Sequence, residues 1–356
     1  MKKFILPVLA VVLILAMQVA PITAQAEGAA APARPYGTAT PRDWEKHAPD
    51  GELKQTSIKA ESAILIDEKT GKILFEKNID TKQYPASITK IMTCLLAVEY
   101  LESGHKKTEL VTVGTLPKLE SGATTIGLKK GETMSLWDMM NGLMIKSGND
   151  AAIAIGVHIA GSLEEFVDRM NARAQELGMT GTHFMNPHGL HHEDHYTTAR
   201  DMAILAREAR RHPFFTDIVD TPTYKYSATN MRKADSWVGH NKLIDDSKNN
   251  AYGYMYATGI KTGFTSKALS TFVSSAKKGN VSLITVVLKD GTTEKWTDSI
   301  TMFEYGFNFY DTLDLKKLLT SQTLEPLEVK NAAGTDPGMG KLQLTMLPKT
   351  TNAYIT

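Results

Sequence analysis

The order of hydrophobic periodicities along the chain is what most constrains its fold. Ala63-Ile64-Leu65-Ile66 and Ile73-Leu74-Phe75 flank the polar, glycine-containing stretch 67–72, a strand, turn, strand pattern. A helical middle follows. Pro85 precedes an apolar-periodic run from Ala86 to Leu101 that stops at Gly104. Proline near the start and glycine past the end predict a helix there. Leu136 to Ile145 and Ala151 to Ala160 keep the helical period. Ser162-Leu163-Glu164-Glu165 is a capping box opening a fourth helix toward Gly178, and Thr198 to Arg211 reads as a fifth. Past about residue 255 the period becomes two: Thr271 to Ala276 and Val281 to Leu288 alternate around Lys278-Gly279-Asn280. Thr293 to Phe309 then reads as a helix. Strands on both sides of a helical centre argue against an alternating βαβ chain. They predict an α+β domain with a helical insertion.

The two ends have other textures. Lys2 and Lys3 precede the almost wholly apolar Phe4 to Ala20, and Ala24-Gln25-Ala26 puts small residues where a signal peptidase reads. That apolar run lies at the lower edge of a membrane span. Pro7, Gln18 and the Ala-x-Ala site favour a cleaved signal peptide over residues 1–26, and so an exported, extracytoplasmic protein. Cleavage removes two lysines and no acid, taking the formal charge from +1 to −1. A chain this close to neutral has no polycationic signature of nucleic-acid binding. Residues 27–59, rich in Ala, Pro, Gly and Thr, read as a flexible spacer, and residues 60–312 as the main domain. Leu327 and Val329, then Leu342, Leu344 and Met346, alternate around Gly334, Pro337, Gly338 and Gly340, so residues 313–356 read as a partial β-rich domain. No basic amphipathic segment follows Met346, so membrane association is not written into that end. The single cysteine, Cys94, rules out an intrachain disulfide and reads as a buried core thiol. Met139, Met140 and Met144 near Trp137 read as core packing.

Three short segments could carry chemistry. In Ser87-Ile88-Thr89-Lys90, a spacing of three places the serine hydroxyl and the lysine amine on one helix face. A serine needs a base beside it to act as a nucleophile. Lys90 can be that base if an apolar setting lowers its pKa, and Ile91, Met92, Leu95 and Leu96 supply one. Ser147-Gly148-Asn149 falls in a break between two helices, where Ser147 can relay a proton and Asn149 can hydrogen-bond substrate. Plain helix capping by Asn149 or Asp150 explains the same residues. Lys261-Thr262-Gly263 reads as an edge strand. Its cation and hydroxyl suit a carboxylate, and its glycine lets an extended substrate lie alongside. Each triplet alone is common. In this order on these elements they form the Ser-x-x-Lys, Ser-x-Asn, Lys-Thr-Gly set of penicillin-recognising enzymes.

With these motifs, and with Asn186-Pro187-His188-Gly189-Leu190, Phe166 to Gly178 and Thr198-Ala199-Arg200-Asp201-Met202, the chain resembles the serine-type D-alanyl-D-alanine carboxypeptidases of peptidase family S11. These are low-molecular-mass penicillin-binding proteins. The resemblance covers about Ser62 to Tyr310. It implies a β-lactamase/transpeptidase-like domain, an antiparallel sheet flanked by helices with a helical subdomain, acting on peptidoglycan stem peptides without cofactor or metal. It implies Ser87 as nucleophile, Lys90 as general base and Ser147 as proton relay. Asn149, Lys261, Thr262 and Gly263 would bind substrate, and the backbone N–H groups of Ser87 and Phe264 would hold the oxyanion. β-Lactams, which mimic the D-Ala-D-Ala terminus, would be covalent inhibitors.

Three other readings fit the residues less well. A class A β-lactamase needs a deacylating glutamate with asparagine four residues on, and none of Glu164, Glu165, Glu176, Glu193 and Glu208 has one. His183, His188, His191, His192 and His195 crowd one loop with Glu193 and Asp194, a composition that could hold a metal. His192-Glu193-Asp194-His195 lacks one residue of a His-Glu-x-x-His motif and its helical frame. A binding-only homologue would need a broken motif, and all three are intact.

Overall fold

The computed structural model describes residues 49–314, apart from 121, 246, 248 and 249, together with residues 327–328, 341–342 and 352–355. The signal peptide expected over 1–26 and the spacer from 27 to 48 lie outside the described residues. The chain divides into two compact units, of which residues 29–308 form the larger.

That unit is built on one five-stranded antiparallel sheet. Its strands are β1 (Ser62–Asp67) and β2 (Ile73–Lys77), then, after the helical region, β7 (Ala257–Thr265), β8 (Leu269–Lys278) and β9 (Val281–Asp290). The spatial order is β2-β1-β9-β8-β7, so β7 is an edge. Between β2 and β7 run α1 (Lys90–Glu102), the short pair β3 (Leu110–Thr112) and β4 (Thr133–Ser135), α2 (Leu136–Met144), α3 (Asn149–Ala160), α4 (Leu163–Glu176), α5 (Ala199–Ala209), α6 (Pro213–Val219), and a second short pair, β5 (Thr223–Tyr226) and β6 (Asp235–Val238). Helix α7 (Glu294–Phe309) follows β9. The expected α+β order is what the chain adopts.

Strand alternation explains how the sheet is covered. Ile64 and Ile66 of β1 and Ile284, Val286 and Leu288 of β9 join the core shared with α1, α2, α3 and α5. The intervening Leu65 and Leu283 face α7, where Gly306 packs so tightly that an added Cβ would overlap Leu283. Helix α1 is buried on nearly every side. Ile91, Met92, Cys94, Leu95, Ala97 and Val98 are all fully inside, so a change such as Leu95→Ala costs ~2–5 kcal/mol. A stability reserve of ~5–15 kcal/mol makes such a loss serious.

Local signals set the helix ends. Ser135, Ser162 and Thr198 accept from the N–H groups of Asp138, Glu165 and Asp201, capping α2, α4 and α5. Two expectations need correction. The run from Ala86 to Leu101 is not one helix: Ala86–Thr89 is a 3-10 turn and the α-helix starts at Lys90. The spacer does not extend to residue 59. Leu53 and Ile58 are buried, and the N–H groups of Lys59 and Ala60 donate to Asp298 Oδ2 at 2.6 and 2.8 Å.

In the other unit, β10 (Asp311–Asp314), β11 (Leu327–Glu328), β12 (Lys341–Leu342) and β13 (Asn352–Ile355) form two antiparallel pairs, β10 with β13 and β11 with β12. Leu327 stands opposite Leu342, while Val329, Leu344 and Met346 lie outside the described residues. Among the described residues no helix is long and apolar enough to cross a membrane.

Candidate active site

The 3-10 turn at Ala86–Thr89 decides the geometry. Three residues complete a 3-10 turn, so side chains three apart eclipse. Ser87 therefore stands directly over Lys90, and Lys90 Nζ lies 3.0 Å from Ser87 Oγ. The turn is entered through Ala86 at φ 51°, a left-handed conformation rare for alanine. Neighbours hold it there. Thr271 Oγ1 on β8 donates to Pro85 O at 2.8 Å. Gly189, at φ +88°, passes so close that a Cβ would overlap Ala86 O.

Lys90 is fully buried, and three acceptors surround its amine. Besides Ser87 Oγ these are Asn149 Oδ1 at 2.6 Å and His188 O at 2.7 Å. Burial holds its pKa well below the usual amine range. The cation of Lys261 adds to this, and Asp150 partly opposes it. The arrangement determines what a neutral Lys90 does. Asn149 Oδ1 and His188 O can only accept, so they take its two N–H bonds. Its lone pair is left facing the Ser87 hydroxyl.

The second motif forms the corner between α2 and α3. Gly148 occupies the N-cap position with no side-chain cap, and Asn149 is the first helical residue. Asp150 turns away to accept from the N–H groups of Ile126 and Leu128, both at 2.9 Å. Ser147 is buried at φ 63°. The structure does not hydrogen-bond it to Ser87, Lys90 or Lys261, whose bonds go elsewhere.

The third motif lies on edge strand β7, as expected. Lys261 is buried, donates to Thr262 O at 2.9 Å, and has its pKa pulled down to about 7 by burial. Thr262 is half-buried and Phe264 exposed. Gly263 presses against the nucleophile's turn: a Cβ would overlap Thr271 Oγ1 and come within 2.8 Å of Ser87 N. Glycine is thus what lets β7 pass beside the Ser87 N–H.

The histidines of the 183–195 loop are engaged separately. His183 Nδ1 pairs with Asp194 O, His188 Nδ1 accepts from Leu190 N, and His195 lies between Thr89 and Met185. Among the described residues no three His, Cys, Asp or Glu side chains are placed to hold a metal. Sequence reasoning missed the parts of this loop that matter to the site. These are the His188 carbonyl on Lys90, Pro187 O accepting from Thr93 Oγ1 at 2.6 Å, and His195 on Thr89. The short Asn186-Pro187-His188-Gly189 segment is the signal that could have drawn attention to them.

The family model described as D-alanyl-D-alanine carboxypeptidase matches residues 49–292. The chain is similar to D-alanyl-D-alanine carboxypeptidase DacF of Bacillus subtilis, with 40% identity over 76% of this chain and 67% of that protein. It is similar to DacC of Escherichia coli, with 35% identity over 73% of this chain and 64% of that one. The alignments thus span about two thirds of the length of these relatives. Among solved structures, penicillin binding protein 6B of Escherichia coli superposes with a TM-score of 0.66 at 29% identity, covering 75% of this chain and 83% of that one. On a match that takes in all three motifs and more than half of its length, the chain belongs to the D-alanyl-D-alanine carboxypeptidase family.

Proposed function

We propose that Ser87 carries the family's reaction here, removing the terminal D-alanine of a peptidoglycan stem peptide through an acyl-enzyme. The observation that supports this most is Lys90, fully buried with Ser87 Oγ at 3.0 Å and two pure acceptors on its other bonds. Neutral Lys90 takes the Ser87 proton as Oγ attacks the penultimate carbonyl. The N–H groups of Ser87 and Phe264 receive the developing oxyanion. Lys261 and Thr262 bind the terminal carboxylate. Asn149 keeps its Oδ1 on Lys90 and offers its amide N–H to a substrate carbonyl. Ser147 passes a proton to the departing D-alanine amine, and water then releases the acyl group. A β-lactam enters by the same attack and stays on Ser87.

Export follows from the reading of residues 1–26, since the stem peptide lies outside the cytoplasmic membrane. Residues 60–312 would be the catalytic domain, with its folded edge extended back to Leu53, and residues 313–356 part of a second, β-rich one. D-Alanine release from a diacetyl-lysyl-D-alanyl-D-alanine peptide, with and without penicillin, tests the function. Release that penicillin blocks supports it. An absence of release, or release indifferent to penicillin, contradicts it.

A further inference from the structure

The loop from His183 to Thr197 closes over the start of α1, and one of its side chains has no part in the chemistry above. His195 is 2% exposed. Its Nδ1 accepts from Met185 N at 3.0 Å, so the ring proton must sit on Nε2. Nε2 lies 2.8 Å from Thr89 Oγ1 and therefore donates to it. Thr89 is itself fully buried, and is the last residue of the 3-10 turn, between Ser87 and Lys90. Burial, with the charges of His183, His192, His191 and Lys90, brings the ring pKa down to about 3. The two hydrogen bonds set the tautomer, and the lowered pKa favours the neutral ring that makes them. Behind the ring, the loop is tied to the sheet side of the fold through Gln83 and Thr197, whose N–H and C=O groups bond reciprocally at 2.8 and 2.9 Å.

We propose that His195 is a positioning residue for the Ser87–Lys90 pair, acting through Thr89. The physical need is specific. The 3-10 turn begins at a left-handed alanine and runs for one turn before α1 takes over. Such a turn relaxes readily toward the α-helix, in which residues three apart no longer eclipse. A rigid ring between Met185 N and Thr89 Oγ1 resists that relaxation at the residue before Lys90. It also keeps the His188 carbonyl, seven residues earlier in the same loop, on the Lys90 amine. His195 touches neither substrate nor reacting atoms. Its effect is on the acylation rate constant, not on the initial encounter with ligand.

The inference rests on Ser87 being the nucleophile, and the test separates the two claims. The full chain and its His195→Leu, His195→Gln, Thr89→Val and Thr89→Val/His195→Leu variants are mixed with a fluorescent penicillin. Acylation rate, noncovalent dissociation constant and melting temperature are measured for each. His195→Leu should slow acylation at least tenfold and Thr89→Val several-fold, with the dissociation constant within twofold of wild type. The double variant should be no slower than His195→Leu, because both changes cut one link. Glutamine can accept from Met185 N and donate to Thr89 Oγ1, so His195→Gln should recover most of the rate. If His195→Leu does not fold, Thr89→Val decides: slowed acylation at a near-wild-type melting temperature supports the link, and an unchanged rate overturns it. A folded His195→Leu acylating at the wild-type rate overturns it. So do effects that multiply in the double variant, or a stable His195→Gln as slow as His195→Leu. A wild type that is never labelled on Ser87 would instead overturn the nucleophile itself.

Discussion

Asn149 Oδ1 lies 2.6 Å from Lys90 Nζ, closer than Ser87 Oγ at 3.0 Å. The residue expected to meet substrate is bound to the proposed general base before substrate arrives. Replacing it with aspartate puts a negative charge on a buried amine, which favours the ammonium form. Asn149→Asp should therefore raise the Lys90 pKa and cut acylation at pH 7 by one to two orders of magnitude relative to wild type, with the gap to wild type narrowing as pH rises. A stopped-flow pH series of both proteins with a chromogenic β-lactam checks this, and a ratio to wild type unaffected by pH would oppose it.

The two buried lysines should make the rate bell-shaped in pH. As the proposed base, Lys90 would work only unprotonated, so kcat/KM should rise as it loses its proton, at a pH well below the usual amine range. As the proposed carboxylate partner, Lys261 would bind only as a cation, so kcat/KM should fall as it deprotonates in the free enzyme, near pH 7. The charge of Asp150 acts on the first lysine through space, and His240 feels the charge of the second. A bound carboxylate stabilises the Lys261 cation, so the falling limb of kcat should lie at higher pH than that of kcat/KM. Lys261→Arg should push both falling limbs to higher pH, because arginine stays charged. Coincident limbs in wild type would contradict the carboxylate assignment.

Gly263 separates β7 from the nucleophile's turn by less than a methyl group. Gly263→Ala would drive a Cβ onto Thr271 Oγ1 and toward Ser87 N. Penicillin acylation should fall at least 100-fold while circular dichroism stays that of the wild type. Normal labelling of Gly263→Ala would show that the strand does not lie where the oxyanion must sit.

Cys94 is fully buried, and burial pushes its thiol far above the ordinary range. N-Ethylmaleimide should leave the native enzyme unlabelled and fully active, and should label it in denaturant. Cys94→Ala should keep its activity at a cost of ~1–2 kcal/mol in stability. Rapid inactivation of the native enzyme by the reagent would contradict this burial.

What was legible in the sequence is what is local. The three short motifs, the Ser162 capping box and the long strands β8 and β9 are each specified within a few residues. The break at Lys90 was not legible, because four residues are too few to separate a 3.0-residue period from a 3.6-residue one. Asn149 on Lys90 and His195 on Thr89 join residues 59 and 106 positions apart. No periodicity encodes such pairs. The docking of Lys59 and Ala60 on Asp298 hid in a spacer-like composition, since its bonds use backbone N–H groups available to almost any sequence. The histidine-rich loop reads as a polar loop before the Thr198 helix, and in the fold His183, His188 and His192 bond within the loop, while the His195 ring and the carbonyls of Pro187 and His188 reach Thr89, Thr93 and Lys90.

The central claim is that Ser87, activated by Lys90, forms the acyl-enzyme. Intact-mass and peptide-mapping spectrometry of wild type and Ser87→Ala after incubation with penicillin tests it most directly. Wild type should carry one adduct, located on the peptide containing Ser87, and a folded Ser87→Ala none, with no D-alanine released. An adduct at another residue, or D-alanine release by Ser87→Ala at the wild-type rate, would contradict it.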